Sequence, residues 1–115
     1  MPFIMPKTVK RQEKLAQELD RIRDIIKNTD ILQAYVFGSF AAGDIHTTSD
    51  LDILIIKETK LPFLQRLEEI YCLFEPKLAM DIIVYTPEEL AAMRGKNFFV
   101  SRIIKEGSLI YEAGL

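Results

Sequence analysis

Residues 36–56 read VFGSFAAGDIHTTSDLDILII. The second half, LDILII at 51–56, is a short apolar run rich in β-branched side chains, the pattern of a largely buried strand. Asp50 and Asp52 stand at its mouth, where burial disfavours charge. Side chains alternate across a strand, so both aspartates point to one face while Leu51 and Ile53 point to the other. The first half closes the run ILQAYVF at 31–37 with Gly38 and Ser39, which predicts another strand ending in a turn.

On either side the pattern alternates between helix and strand. Residues 8–28 place Leu15, Leu19, Ile22 and Ile26 at helical spacing, with Lys10, Arg11, Lys14, Arg21, Arg23 and Lys27 mostly elsewhere. That is one amphipathic helix with a basic, solvated face. Pro62 opens a helical stretch in which Phe63, Leu67, Ile70, Tyr71 and Phe74 share a face, ending near Pro76. LAMDIIVY at 78–85 predicts a third strand, with Asp81 inside it. Thr86, Pro87 and Glu89 read as a helix start with a hydroxyl cap, a proline in the first turn and a capping-box glutamate. A last helix covers about 97–105, Gly107 ends it, and SLIYE at 108–112 adds a short edge strand. The expected class is α/β (α+β), a small mixed β-sheet with helices packed on it.

Length and composition bound the function. With 115 residues the chain fits one domain, residues 1–115, with a single core and no sequence for a second lobe. A formal net charge of −2 argues against gripping extended nucleic acid unaided. One cysteine excludes an internal disulfide, and no apolar run approaches the roughly 20 residues of a membrane span. The start, MPFIMPK, has too short an apolar stretch for a signal peptide, so a reducing cytoplasm is expected. Hydrophobic residues make up 49% of a chain with limited interior, which points to self-association or a docked partner.

An isolated aspartate commonly ends a strand, caps a turn or pairs with a lysine. Here, if the strands at 51–56 and 78–85 are neighbours, Asp50, Asp52 and Asp81 converge on one patch. Two such charges about 4 Å apart repel by roughly 4 kcal/mol at an effective dielectric near 20. A cation should sit among them. An all-oxygen site with no His or Cys cluster suits a hard ion such as Mg²⁺. Gly38 and Ser39 supply a complementary element, a turn whose backbone N–H groups and hydroxyl can face an anion such as phosphate.

The combination of Gly38-Ser39, ten intervening residues, Asp50-Leu51-Asp52 and a later strand aspartate resembles the minimal nucleotidyltransferase family of the DNA polymerase beta superfamily. The resemblance runs from Tyr35 to Thr86, and the closing NFFVSRIIKEGSLIYE is also similar to the ending of such proteins. It implies a palm-like fold in which Gly38 and Ser39 hold the β and γ phosphates of ATP or another nucleoside triphosphate. It further implies that Asp50 and Asp52 bind two Mg²⁺ ions, with Mn²⁺ able to substitute, and that Asp81 binds the catalytic one. Small members commonly act as antitoxins that adenylylate a tyrosine of a HEPN ribonuclease toxin, so a HEPN-type partner is implied. The pattern departs at Phe40-Ala41-Ala42-Gly43, where relatives often carry an arginine or lysine. Ala42 offers a triphosphate no charge, leaving Lys57, Arg94, Lys96 or Arg102 as candidate substitutes.

Two other readings compete with transfer to a protein: transfer to a small molecule such as an antibiotic, and a non-catalytic antitoxin that acts by contact alone. Among the remaining tempting residues, His46 reads as an exposed loop residue and Cys72 as a buried, reduced packing residue. Phe98 and Phe99 read as core or subunit contact.

Overall fold

The computed structural model describes residues 6–43 and 50–114. His46 lies outside them. The elements are α1 (Pro6–Ile26), β1 (Gln33–Phe37), α2 (Gly38–Ala42), β2 (Leu51–Ile56), α3 (Phe63–Phe74), β3 (Met80–Tyr85), α4 (Pro87–Met93), α5 (Phe98–Glu106) and β4 (Ser108–Glu112). This is the expected order, with the Gly-Ser segment forming the short helix α2.

The strands form one mixed sheet in the order β3-β2-β1-β4. β1 runs antiparallel to both β2 and β4, whereas β2 and β3 are parallel and need the crossover that α3 provides. β2 is central, which explains why LDILII is apolar on both sides: Leu51, Ile53 and Ile55 face one layer of helices, Leu54 and Ile56 the other. The first layer comprises α1, through Leu15, Leu19, Ile22 and Ile26, and α3, through Ile70 and Phe74. The second comprises α4 and α5, through Leu90, Val100 and Ile103. Thr86 and Glu89 form the expected capping box at the start of α4.

One polar cluster ties the first layer together. Glu18 lies on the apolar stripe of α1 and is only 4% exposed. It accepts two hydrogen bonds from Arg21, at 2.7 and 3.0 Å, and the backbone N–H groups of Lys77 and Leu78. Arg21 also donates to the carbonyls of Phe74 and Glu75, closing the left-handed end of α3, where Glu75 has φ 44°. Part of the basic face of α1 is therefore structural rather than merely solvated.

One packing expectation is corrected and another is narrowed to one of its two alternatives. Cys72 is exposed, because α3 buries Ile70 and Phe74 and turns Cys72 away. Phe98, at 82% exposure, is not a core residue: α5 packs through Val100 and Ile103, and Phe98 precedes that stripe at the first turn.

Candidate active site

β1, β2 and β3 bring Phe37, Asp52 and Asp81 side by side across the sheet, since Asp52 pairs in register with Phe37 on one side and Asp81 on the other. All three continue the face that carries Tyr35, Leu54 and Ile83. The apolar surface thus ends in two carboxylates. Asp52 is partly buried, whereas Asp81 lies exposed on the edge strand β3.

The chain turns directly above Asp52. Gly38 follows β1 with φ 77°, and a Cβ built on it would overlap Oδ2 of Asp52 and lie 3.0 Å from Cγ. Only glycine allows the backbone this conformation and this approach. Ser39 comes next, in α2, and both residues line a cleft of about 510 Å³ with Asp52, Phe99, Arg102 and Glu106. The far wall is α5. Its last turn is held near β1 because Gly107 has no side chain, a Cβ there lying 2.8 Å from the Val36 carbonyl oxygen. Phe99 packs edge-on against Phe37, with ring centroids 5.9 Å apart.

Burial, the charge of Asp81, a hydrogen bond with Asp81 and the charge of Asp50 together push the Asp52 carboxyl up to about 6. The three aspartates therefore interact, but not identically. Asp50 lies 3.6 Å from Arg11 of α1, an ion pair that balances its charge from the other layer. Among the described residues no three His, Cys, Asp or Glu side chains already stand close enough to hold an ion. The expected patch consists of an Asp52–Asp81 pair with Asp50 engaged beside it.

The four candidate cations also separate. Arg102 lines the cleft, paired through Nε to Glu106 at 2.9 Å. Lys57 bridges Asp30 and Glu69 beyond the opposite end of β2, and Arg94 lines a different cavity with Leu32 and Ile56. Lys96 is exposed after α4. Sequence reasoning missed the Arg11–Asp50 pair and the buried Glu18. The latter had a signal, since Glu18 falls between Leu15 and Leu19 on the apolar stripe.

The family model described as Polymerase beta, Nucleotidyltransferase matches residues 20–114. The chain belongs to this nucleotidyltransferase family. Its fold is similar to a proposed nucleotidyltransferase from Sulfolobus solfataricus, at TM-score 0.67 and 19% identity, over 96% of this chain and 91% of that one. It is also similar to a structure described as a toxin-antitoxin with AMP-PNP, at TM-score 0.55 and 17% identity, over 84% of this chain and 74% of that one. At these identities the likeness establishes a shared nucleotidyltransferase fold. No curated protein matches the chain in sequence. Among the described residues no helix is long and apolar enough to cross a membrane.

A divalent metal suits the nucleotidyltransferase site on its own chemistry. The donors are all carboxylate oxygens, and burial together with the neighbouring Asp81 and Asp50 carboxylates drives Asp52 toward protonation, a penalty that a bound cation would relieve.

Proposed function

We propose that this nucleotidyltransferase moves AMP from ATP to a hydroxyl of a partner protein, acting as the antitoxin of a HEPN-type ribonuclease toxin. The observation that carries the reading is the Asp52–Asp81 pair on adjacent strands, with Asp52 lying directly under the Gly38-Ser39 turn in one cleft. The family match supports nucleotidyl transfer, and the AMP-PNP-containing toxin-antitoxin of similar fold supports the nucleotide and the protein partner. A reaction that consumes ATP fits the cytoplasm.

In this reading the Gly38 and Ser39 backbone N–H groups and the Ser39 hydroxyl hold the β and γ phosphates. Asp50, Asp52 and Asp81 would hold two Mg²⁺ ions, Asp50 being paired with Arg11 in the metal-free protein. When bound, the metals supply the positive charge that acidifies the acceptor hydroxyl and offsets charge developing on the phosphate. The acceptor oxygen forms a bond to the α-phosphorus, the bond to the β-phosphate oxygen breaks, and pyrophosphate leaves. Asp81 takes the acceptor's proton. Its place on the edge strand leaves it open to a large acceptor, which a protein side chain requires.

The exposed Phe98, Leu64 and Leu109 give a partner apolar surface to meet. The test is incubation with α-labelled ATP and Mg²⁺, with and without the product of the neighbouring gene. Label on the partner is expected. Label on a small molecule would redirect the acceptor, and a tight complex without label would leave a non-catalytic antitoxin.

A further inference from the structure

We propose that Arg102 is the triphosphate-binding cation of the cleft, and that Glu106 is a built-in competitor that holds Arg102 until nucleotide displaces it. The inference rests on reading the cleft as a nucleoside triphosphate site. It concerns a feature the family motif does not carry.

The cleft has one wall without charge. Ala41 and Ala42 line the α2 side, and neither can neutralise a phosphate. The opposite wall, α5, carries Arg102 and Glu106 into the same space. A guanidinium offers five N–H donors in a planar fork that matches phosphate oxygens two at a time. The Gly107 contact with β1 holds the end of α5 against the sheet, and Arg102 and the Gly38-Ser39 turn line the same cleft.

Glu106 is poorly placed to serve α5 itself. It occupies the last turn, where the helix C-terminus disfavours negative charge. The arginine precedes the glutamate by four residues, the weaker order for a helical pair. Both side chains are well exposed, 65% and 61%, so the pair is readily exchanged for a stronger one. A triphosphate carries more charge than a carboxylate and offers the fork the same paired oxygens. Glu106 accepts from Arg102 Nε at 2.9 Å, so a nucleotide competes with it for the full fork of the guanidinium.

Calorimetric titration with MgATP of the wild type, Arg102→Gln, Arg102→Lys, Glu106→Gln and the double variant tests both roles. Both positions are exposed, and an unchanged melting temperature checks that each variant is folded. Arg102→Gln is expected to weaken MgATP about tenfold or more, with Arg102→Lys intermediate because it keeps the charge and loses the fork. Glu106→Gln is expected to tighten binding about threefold, and this gain should vanish in the double variant, since the competitor acts only through Arg102. MgATP binding by Arg102→Gln within twofold of wild type would overturn the role of Arg102. A Glu106→Gln gain that survives without Arg102, or no gain at all, would overturn the role of Glu106. If the wild type binds no MgATP, the reading of the cleft fails and takes this inference with it. Binding that ignores Arg102 would leave that reading intact.

Discussion

Glu18 and Asp52 are both acids drawn into the apolar interior, and the chain treats them in opposite ways. The Arg21 guanidinium hydrogen-bonded to Glu18, helped by the backbone N–H groups of Lys77 and Leu78, holds that carboxyl below the usual range despite burial. Glu89 is treated alike, with Arg66 and the Thr86 N–H lowering its pKa. Asp52 receives the reverse. Burial and two neighbouring aspartates raise it to about 6, and Arg11 of α1 pairs with Asp50. A chain that twice neutralises an acid with an arginine and backbone donors leaves Asp52 facing another carboxylate. The contrast is between charges arranged to hold the fold and carboxylates left to repel one another, and a locally unfavourable arrangement of this kind is expected at functional sites, such as the metal site proposed above.

The largest expected effect lies on the functional side of that contrast. Asp81→Asn is nearly isosteric and exposed, so the fold and MgATP binding should persist. Loss of the proton acceptor and one metal-binding charge should slow transfer roughly a hundredfold or more. Calorimetry beside single-turnover label transfer checks both halves. Near-wild-type transfer would remove Asp81 from the chemistry and leave it to Asp50 and Asp52.

Next in size comes the structural side. Glu18→Gln keeps the shape but removes the charge that Arg21 and the Lys77 and Leu78 N–H groups converge on, a change worth about 2–3 kcal/mol of stability. Urea denaturation reads it directly. A loss under about 0.5 kcal/mol would mean that the cluster contributes no more than a surface pair. Asp52→Asn should have the opposite sign: removing an uncompensated charge should stabilise the metal-free protein by about 1 kcal/mol. The same variant should lose most of the rise in melting temperature that Mg²⁺ gives the wild type through mass action. If both substitutions destabilise, the two regions are not built on different terms.

Much of this contrast was legible before any coordinates. The element order followed from apolar periodicity and from Gly38, Pro87 and Gly107, because those signals are local. Asp50, Asp52 and Asp81 stood out because carboxylates interrupt β-branched runs, and the parallel β2–β3 register then placed Asp52 beside Asp81. Strand order was not legible, since pairing is decided by contacts far apart in sequence. Nor was the choice of Arg102 over Lys57, Arg94 and Lys96, which depends on the position of α5 against β1. Cys72 was misplaced for a related reason: the period of α3 marks a broad apolar face, but packing buries only its Ile70 and Phe74 edge.

The smallest effect, and the one that isolates Asp52 most cleanly, is the pH dependence of the metal-free protein. Asp52 has a folded-state value of about 6 against 3.8 for the ordinary carboxyl, so between those values the folded chain binds the extra proton. Its contribution is full below the ordinary value and is lost as pH rises through about 6. Glu18, Asp30 and Glu89 are lowered by Arg21, Lys57 and Arg66, so theirs is present at neutral pH and is lost as pH falls below the ordinary carboxylate range. The two tendencies oppose each other, and the wild type without metal should be most stable on the acid side of neutrality. Subtracting the melting curve of Asp52→Asn from that of the wild type cancels the arginine- and lysine-paired acids. The difference should fall by a few degrees from about pH 4 to about pH 7 and flatten when Mg²⁺ is added, because a bound cation replaces the proton as the source of positive charge. A difference that is flat without metal would mean that burial, Asp81 and Asp50 leave Asp52 unperturbed, and the comparison with Glu18 would lose its electrostatic basis.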